Sequence, residues 1–197
     1  AGFIFTDGTE PEQLRGARVS AEFFAALGVT PMLGRDFQAD DDKPGASRTV
    51  LLSQGLWQRR FNADTGIIGR TITLNQQSFT VIGIIPASFQ FAVPGFFRPV
   101  EIWTPSAFAK DNRTRGNQYL RVIARLKPGI SLARAQSEMS ALAARLEQQY
   151  PNTNTGLGVR LTSLYEQTVG NIRPALLVLL GAVGFVLLIA CGNVASL

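Results

Sequence analysis

The chain has no histidine among its 197 residues. That removes the usual general base at neutral pH, the commonest zinc ligand and any Ser-His-Asp triad. It has one cysteine, Cys191, so no disulfide staples the fold. Cysteine scarcity does not by itself fix the compartment. No G-x-x-x-x-G-K-[ST] loop occurs, which excludes ATP binding of that kind. Charge is absent altogether from Ala175 to Leu197, where Asn193 and Ser196 are the only clearly polar side chains.

That last stretch is the first positive signal. A helix of 23 residues spans about 34 Å at 1.5 Å per residue. A hydrocarbon core is about 30 Å thick, so the run crosses it with some tilt. Pro174 suits the first helical position, and the Arg173 head can stay in water while its stem lies along lipid. A buried core helix is the plain alternative, but such helices seldom run this far without a charge on a solvent face. The run lies at the wrong end for a signal peptide. The chain starts at Ala1 and reads at once into the strand-like "FIFTDG", and it stops at Leu197 with no flanking charge. Both ends therefore read as cut from a larger membrane protein.

Residues 1–173 are enough chain for one medium domain or two small ones. Charge is uneven. Residues 1–42 hold eight acids and three bases, and residues 43–173 hold sixteen bases and six acids, within a total of +5. The densest basic stretch runs from Lys110 to Lys127, with Arg113, Arg115, Arg121 and Arg125 between. A basic patch can meet nucleic acid or anionic lipid. No reading motif or aromatic platform accompanies this one, so it reads as a solvated face with no nucleic-acid partner.

Helix-like and strand-like segments alternate along the chain. "AEFFAALG" predicts a short helix stopped by Gly28. "RTVLLS" predicts a buried strand. "SQGLWQRRF" predicts a helix with Ser53 as N-cap. "GRTITLNQQSFTVIGIIP" reads as a hairpin about Asn75-Gln76-Gln77. "VEIWTP" is a further strand, expected at an edge because of Pro105. "QYLRVIARL" alternates as a strand does. "SLARAQSEMSALAARLEQQY" is the clearest helix, capped by Ser131 and ended by Tyr150-Pro151. Its apolar stripe is Leu132, Ala135, Met139, Leu142 and Leu146, predicted to be covered, with Arg134, Glu138 and Arg145 outside. "GVRLTSL" is a last strand, so residues 119–163 read β-α-β. The fold class expected is α+β, with mixed β-sheets. The tether from Tyr165 to Pro174 is short and holds one glycine, Gly170.

Candidate sites are few. Asp40-Asp41-Asp42 offers oxygen ligands for a hard cation, but it lacks the spaced ligands and closing Glu of a calcium loop, so a solvated loop is the better reading. Trp57 beside Arg59 and Arg60 reads as a core anchor next to exposed bases. "FQFAVPGFFRP" is aromatic-rich, suited to a partner or lipid contact or to tucking into the core. Asp64, Glu101 and Glu166 have no visible catalytic partner. The expectation is no catalytic residue, no cofactor site and no metal site, and so no enzyme.

Five separated strings add a further reading: "VSAEFFAALGVTPMLGRDF", "VLLSQGLWQRRFNAD", "IIGRTITLNQQSFTVIGIIPASF", "LKPGISLARAQSEMSALAARLEQQYP" and "LLGAVGFVLLIACGNVASL". In this order and spacing the chain resembles the MacB-like periplasmic core domain of bacterial ABC transporter permeases, followed by the start of an FtsX-like permease segment. The resemblance implies a periplasmic core domain over residues 1–170, with a β-rich part at 1–110 and a porter-like β-α-β part at 119–163. It implies a transmembrane helix over 174–197, a first membrane helix before Ala1, and residence in the bacterial inner membrane with residues 1–170 extracytoplasmic. The implied partners are an ABC ATPase domain or subunit, membrane lipid, and a second permease in a homodimer or paired arrangement. The implied work is export or mechanotransmission, efflux included. Gly34, Gly69, Asn75, Gly83 and Pro86 would be turn-formers, and no catalytic residue is carried over. A membrane-anchored extracytoplasmic sensor or ligand-binding domain is the alternative.

Overall fold

The computed structural model describes residues 2–6, 11–89, 99–107, 120–169, 177–185, 187 and 191. It divides into two compact units, Ala1–Lys127 and Pro128–Leu197. Among the described residues of the first, seven strands form: β1 (Gly2–Phe5), β2 (Glu12–Val19), β3 (Leu33–Gly34), β4 (Thr49–Ser53), β5 (Thr71–Leu74), β6 (Gln77–Ile85) and β7 (Ile102–Pro105). Helix α1 (Phe23–Leu27) follows β2, and α2 (Gln54–Phe61) follows β4.

The pairing order is β3-β6-β4-β7-β2-β1-β5, and β5 also pairs with β6. Six strands therefore form a closed ring, β6-β4-β7-β2-β1-β5 and back to β6. The short β3 shares with β5 the edge of β6 that β4 leaves open. Two pairings are parallel, β2 with β7 and β4 with β6. The rest are antiparallel.

Alternation assigns the two faces. All six ring strands send side chains to one core, among them Phe3, Phe5, Leu14, Val50, Leu52, Leu74, Val81 and Ile102, and α2 adds Leu56 and Trp57. The intervening residues face outward. Leu51, Ile82, Ile85, Trp103 and Val19 meet Phe24 of α1 and Phe37 in a second core. Phe24 is fully buried, and its ring sits edge-on to Trp103 at 5.5 Å. Gly16 faces inward, where a Cβ would collide with the Phe3 ring. Only glycine lets that ring fill the interior.

Ring closure rests on the β5–β6 turn. Asn75 and Gln76 both have positive φ, 50° and 61°, as a two-residue hairpin turn twisted with its strands requires. Asn75 N–H then donates to Ile4 O at 2.8 Å, and its side-chain Oδ1 accepts from Ile4 N–H at 2.8 Å. With the Phe5–Leu74 bridge and Thr6 N–H on Thr73 O, this seam joins β1 to β5.

Several expectations hold. Gly28 ends α1 in the left-handed region at φ 72°. Ser53 caps α2 by accepting from Leu56 N–H. Others need correction. β7 is not an edge strand: it lies between β2 and β4. Pro105 is tolerated there because it is the last residue of the strand, where its missing N–H breaks no continuing ladder. Gly83 is not in a turn. It sits in β6 where the β4 register slips between Val50 and Leu51, and a Cβ there would run into backbone oxygens of Leu33 and Arg35.

The second unit holds α3 (Leu132–Gln149), α4 (Pro151–Asn154) and α5 (Leu164–Val169). Ser131 caps α3 by accepting from Arg134 N–H. The β-α-β expected over 119–163 is present only as its helix. Residue 119 lies outside the described residues, and neither 120–127 nor 157–163 forms a strand. A strand needs a neighbouring backbone to pair with, and no pairing involves these segments. The α3 stripe is accordingly only partly covered, with Met139 and Leu146 half-buried. Ala135 alone is buried, while Leu132 and Leu142 are 40% and 44% exposed. Residues 177–185 are helical, as are 187 and 191. Among the described residues no helix is long and apolar enough to cross a membrane. Much of the expected helix 174–197 lies outside the described residues.

The seam and the stripe give opposed predictions. Asn75→Gly keeps the positive-φ turn but removes the Oδ1 acceptor, and should destabilise the first unit by about 1 kcal/mol in urea melts. Phe24→Ala should cost about 3–5 kcal/mol. Leu142→Ala, at an uncovered position, should stay within about 0.5 kcal/mol of the parent.

Candidate functional site

The chemistry-bearing side chains of the first unit gather in two places. The first is beside α2. Glu101 precedes β7 and is buried, 8% exposed. Its Oε2 accepts from Arg15 N–H of β2 at 3.1 Å and faces the Arg15 guanidinium at 3.5 Å. Its Oε1 accepts from Arg59 of α2 at 3.1 Å. Arg59 also donates to Glu12 at 2.6 Å, and Arg60 Nε pairs with the other Glu12 oxygen at 3.2 Å. The Arg60 guanidinium lies over the Phe5 ring, 5.3 Å from its centroid. Arg15 Nε donates to Pro99 O at 2.9 Å. Two carboxylates and three guanidiniums thus bind β2, β7 and α2 together. Buried carboxylate oxygens need donors of this kind to offset their lost hydration.

The second place is the loop after β3. Arg35 grips Asp41 with two hydrogen bonds, at 2.6 and 3.1 Å. Asp41 also accepts from Gln38 N–H at 2.7 Å. The Arg35 hydrogen bonds hold the Asp41 carboxyl below the usual carboxylate range, against the opposing effect of burial. Asp41 in turn raises Arg35. Asp36 is raised by burial, although Phe37 N–H and Arg35 act the other way. Asp40 pairs with Lys43 at 2.6 Å. Asp42 bridges two backbone donors, Ala107 N–H at 2.6 Å and Ala21 N–H at 3.3 Å.

The three adjacent aspartates therefore turn to three different partners. They do not converge on a cation, and among the described residues no group of acids could hold a metal. Trp57 is a core anchor, 8% exposed, and its indole N–H donates to Asp64 O at 2.8 Å. The Asp64 carboxylate caps the turn Thr65–Ile67 through Gly66 N–H and meets Arg70 at 3.4 Å. Glu166 stands in the first turn of α5. Of "FQFAVPGFFRP", residues 90–98 lie outside the described residues. Phe89 packs on Phe24 and Trp103. Sequence reasoning passed over Glu101 as lacking a partner. Its signal was an acid directly before the apolar "IWT", at a place that must be buried.

A shallow cleft of about 380 Å³ opens where β3 and β5 meet successive parts of β6, lined by Gly34, Arg35, Gly69 and Val81 among others. Its one charged wall, Arg35, is already neutralised by Asp41. These groups cross-link elements, and no nucleophile stands beside a base among them.

The family model for the MacB-like periplasmic core domain matches residues 2–142. The chain belongs to that family. No curated protein matches it in sequence. Its fold is similar to the periplasmic region of MacB from Actinobacillus actinomycetemcomitans, with a TM-score of 0.52 at 15% identity, over 78% of this chain and 65% of that one. It is also similar to a domain of a candidate permease protein from Porphyromonas gingivalis, with a TM-score of 0.51 at 13% identity, over 85% of this chain and 76% of that one. The chain thus spans a little under two thirds of the MacB periplasmic region.

The loop predicts a pH dependence of known sign. The folded pKa of Asp41 lies below its unfolded value of about 3.9, so its contribution is full above that value and is lost as pH falls through the lower one. Asp36 is raised, so it opposes folding at neutral pH and stops doing so as pH falls through its raised value. Asp41→Asn should lower Tm at pH 7 and flatten the acid limb in melts from roughly pH 3 to 7. Asp36→Asn keeps an acceptor for Phe37 N–H and should not lower Tm at pH 7. Beside α2, Glu101→Ala should cost about 1–3 kcal/mol by urea denaturation because Arg15 N–H loses its acceptor. Glu12→Ala, at the half-buried rim, should cost less than about 1 kcal/mol.

Proposed function

We propose that the chain is the extracytoplasmic domain, with the beginning of an adjoining membrane span, of the permease subunit of a bacterial ABC transporter. The observation that carries this is a family match over residues 2–142, followed in the same chain by the charge-free run from Ala175 to Leu197. The likeness to the MacB periplasmic region supports it. In this reading residues 1–170 lie outside the cytoplasmic membrane and 174–197 cross it against lipid. An ABC ATPase domain or subunit on the far side supplies the energy, and two permease subunits work as a pair.

The side chains support a mechanical role. The charged groups described above tie strands and helices to one another, and none is arranged for covalent chemistry. The chain itself catalyses nothing. It moves with its membrane helix, so the transporter exports a cargo or passes force across the membrane. A short tether transmits helix motion, while a long flexible one absorbs it.

The test is a ten-residue Gly-Ser insertion after Gly170 in the full-length complex, reconstituted in vesicles. Folding of the extracytoplasmic domain and ATP hydrolysis by the partner should persist, while transport should be abolished. Unimpaired transport would reject mechanical coupling and favour an anchored binding or sensing domain.

A further inference from the structure

We draw no further inference here: the strongest candidate, the apolar stripe of α3 that leaves Leu132 and Leu142 partly exposed, together with the extended segment that Gln136 holds through Val159 O and Leu161 N–H, carries nothing because nothing in the structure shows what covers it.

Discussion

One seam turns the sheet of the first unit into a ring, and the rest of that unit depends on it. β1 meets β5 through a single residue bridge, two flanking backbone bonds and the Asn75 side chain. Without that seam β1 and β5 would each present an unpaired edge, the usual invitation to aggregation. With it, Phe3 and Phe5 are carried into the interior beside Leu14 and Ile102. Gly16 makes room for Phe3. α2 can then pack Leu56 and Trp57 into the same core, and its outer arginines reach Glu12 and Glu101. Closure, core filling and the charged cluster are successive consequences of one join.

Charge in this unit is used for fastening. The eight acids of the first 42 residues look in composition like a solvated segment. In space, three of those among the described residues divide the labour. Glu12 serves α2, Asp41 holds Arg35, and Asp42 gathers two backbone amides from separate turns. A carboxylate accepts in several directions at once, so it can join segments that a single backbone bond cannot. The chain's family, the MacB-like periplasmic core domain, belongs to ABC transporter permeases.

Local features of the fold were legible wherever a residue type enforces a conformation nearby. Ser53 and Ser131 as caps, Gly28 as a stop and the Asn75 turn followed from side-chain chemistry within four residues. The buried strand "RTVLLS" followed from its apolar run. Placement across the chain was not legible. Pro105 suggested an edge, yet parallel pairing of β7 with β2, a contact between distant segments, puts it in the middle of the sheet. The strands expected on either side of α3 rested on alternation alone, and alternation gives a strand only if something lies alongside. Glu101 was passed over because its partners, Arg15 and Arg59, are 86 and 42 residues away in sequence. Membership of the periplasmic core domain family was legible from the strings that fall within residues 2–142, because it depends on order and spacing, which a linear reading sees directly.

The parallel partnership of β2 and β7 also imposes a schedule on biosynthesis. Arg15 and Glu101 stand 86 residues apart, and a ribosome adds about 5–20 residues per second. For on the order of ten seconds after β2 is made, its permanent neighbour does not exist. β1 is its sole partner through that interval, and β1 in turn must await β5. The ring therefore closes last at β7, between β2 and β4. A nascent chain halted before Ile102 holds an inner face rich in phenylalanine and leucine with a gap in its wall, so the last four-residue strand decides whether the product is a sealed domain or a substrate for chaperones and proteases.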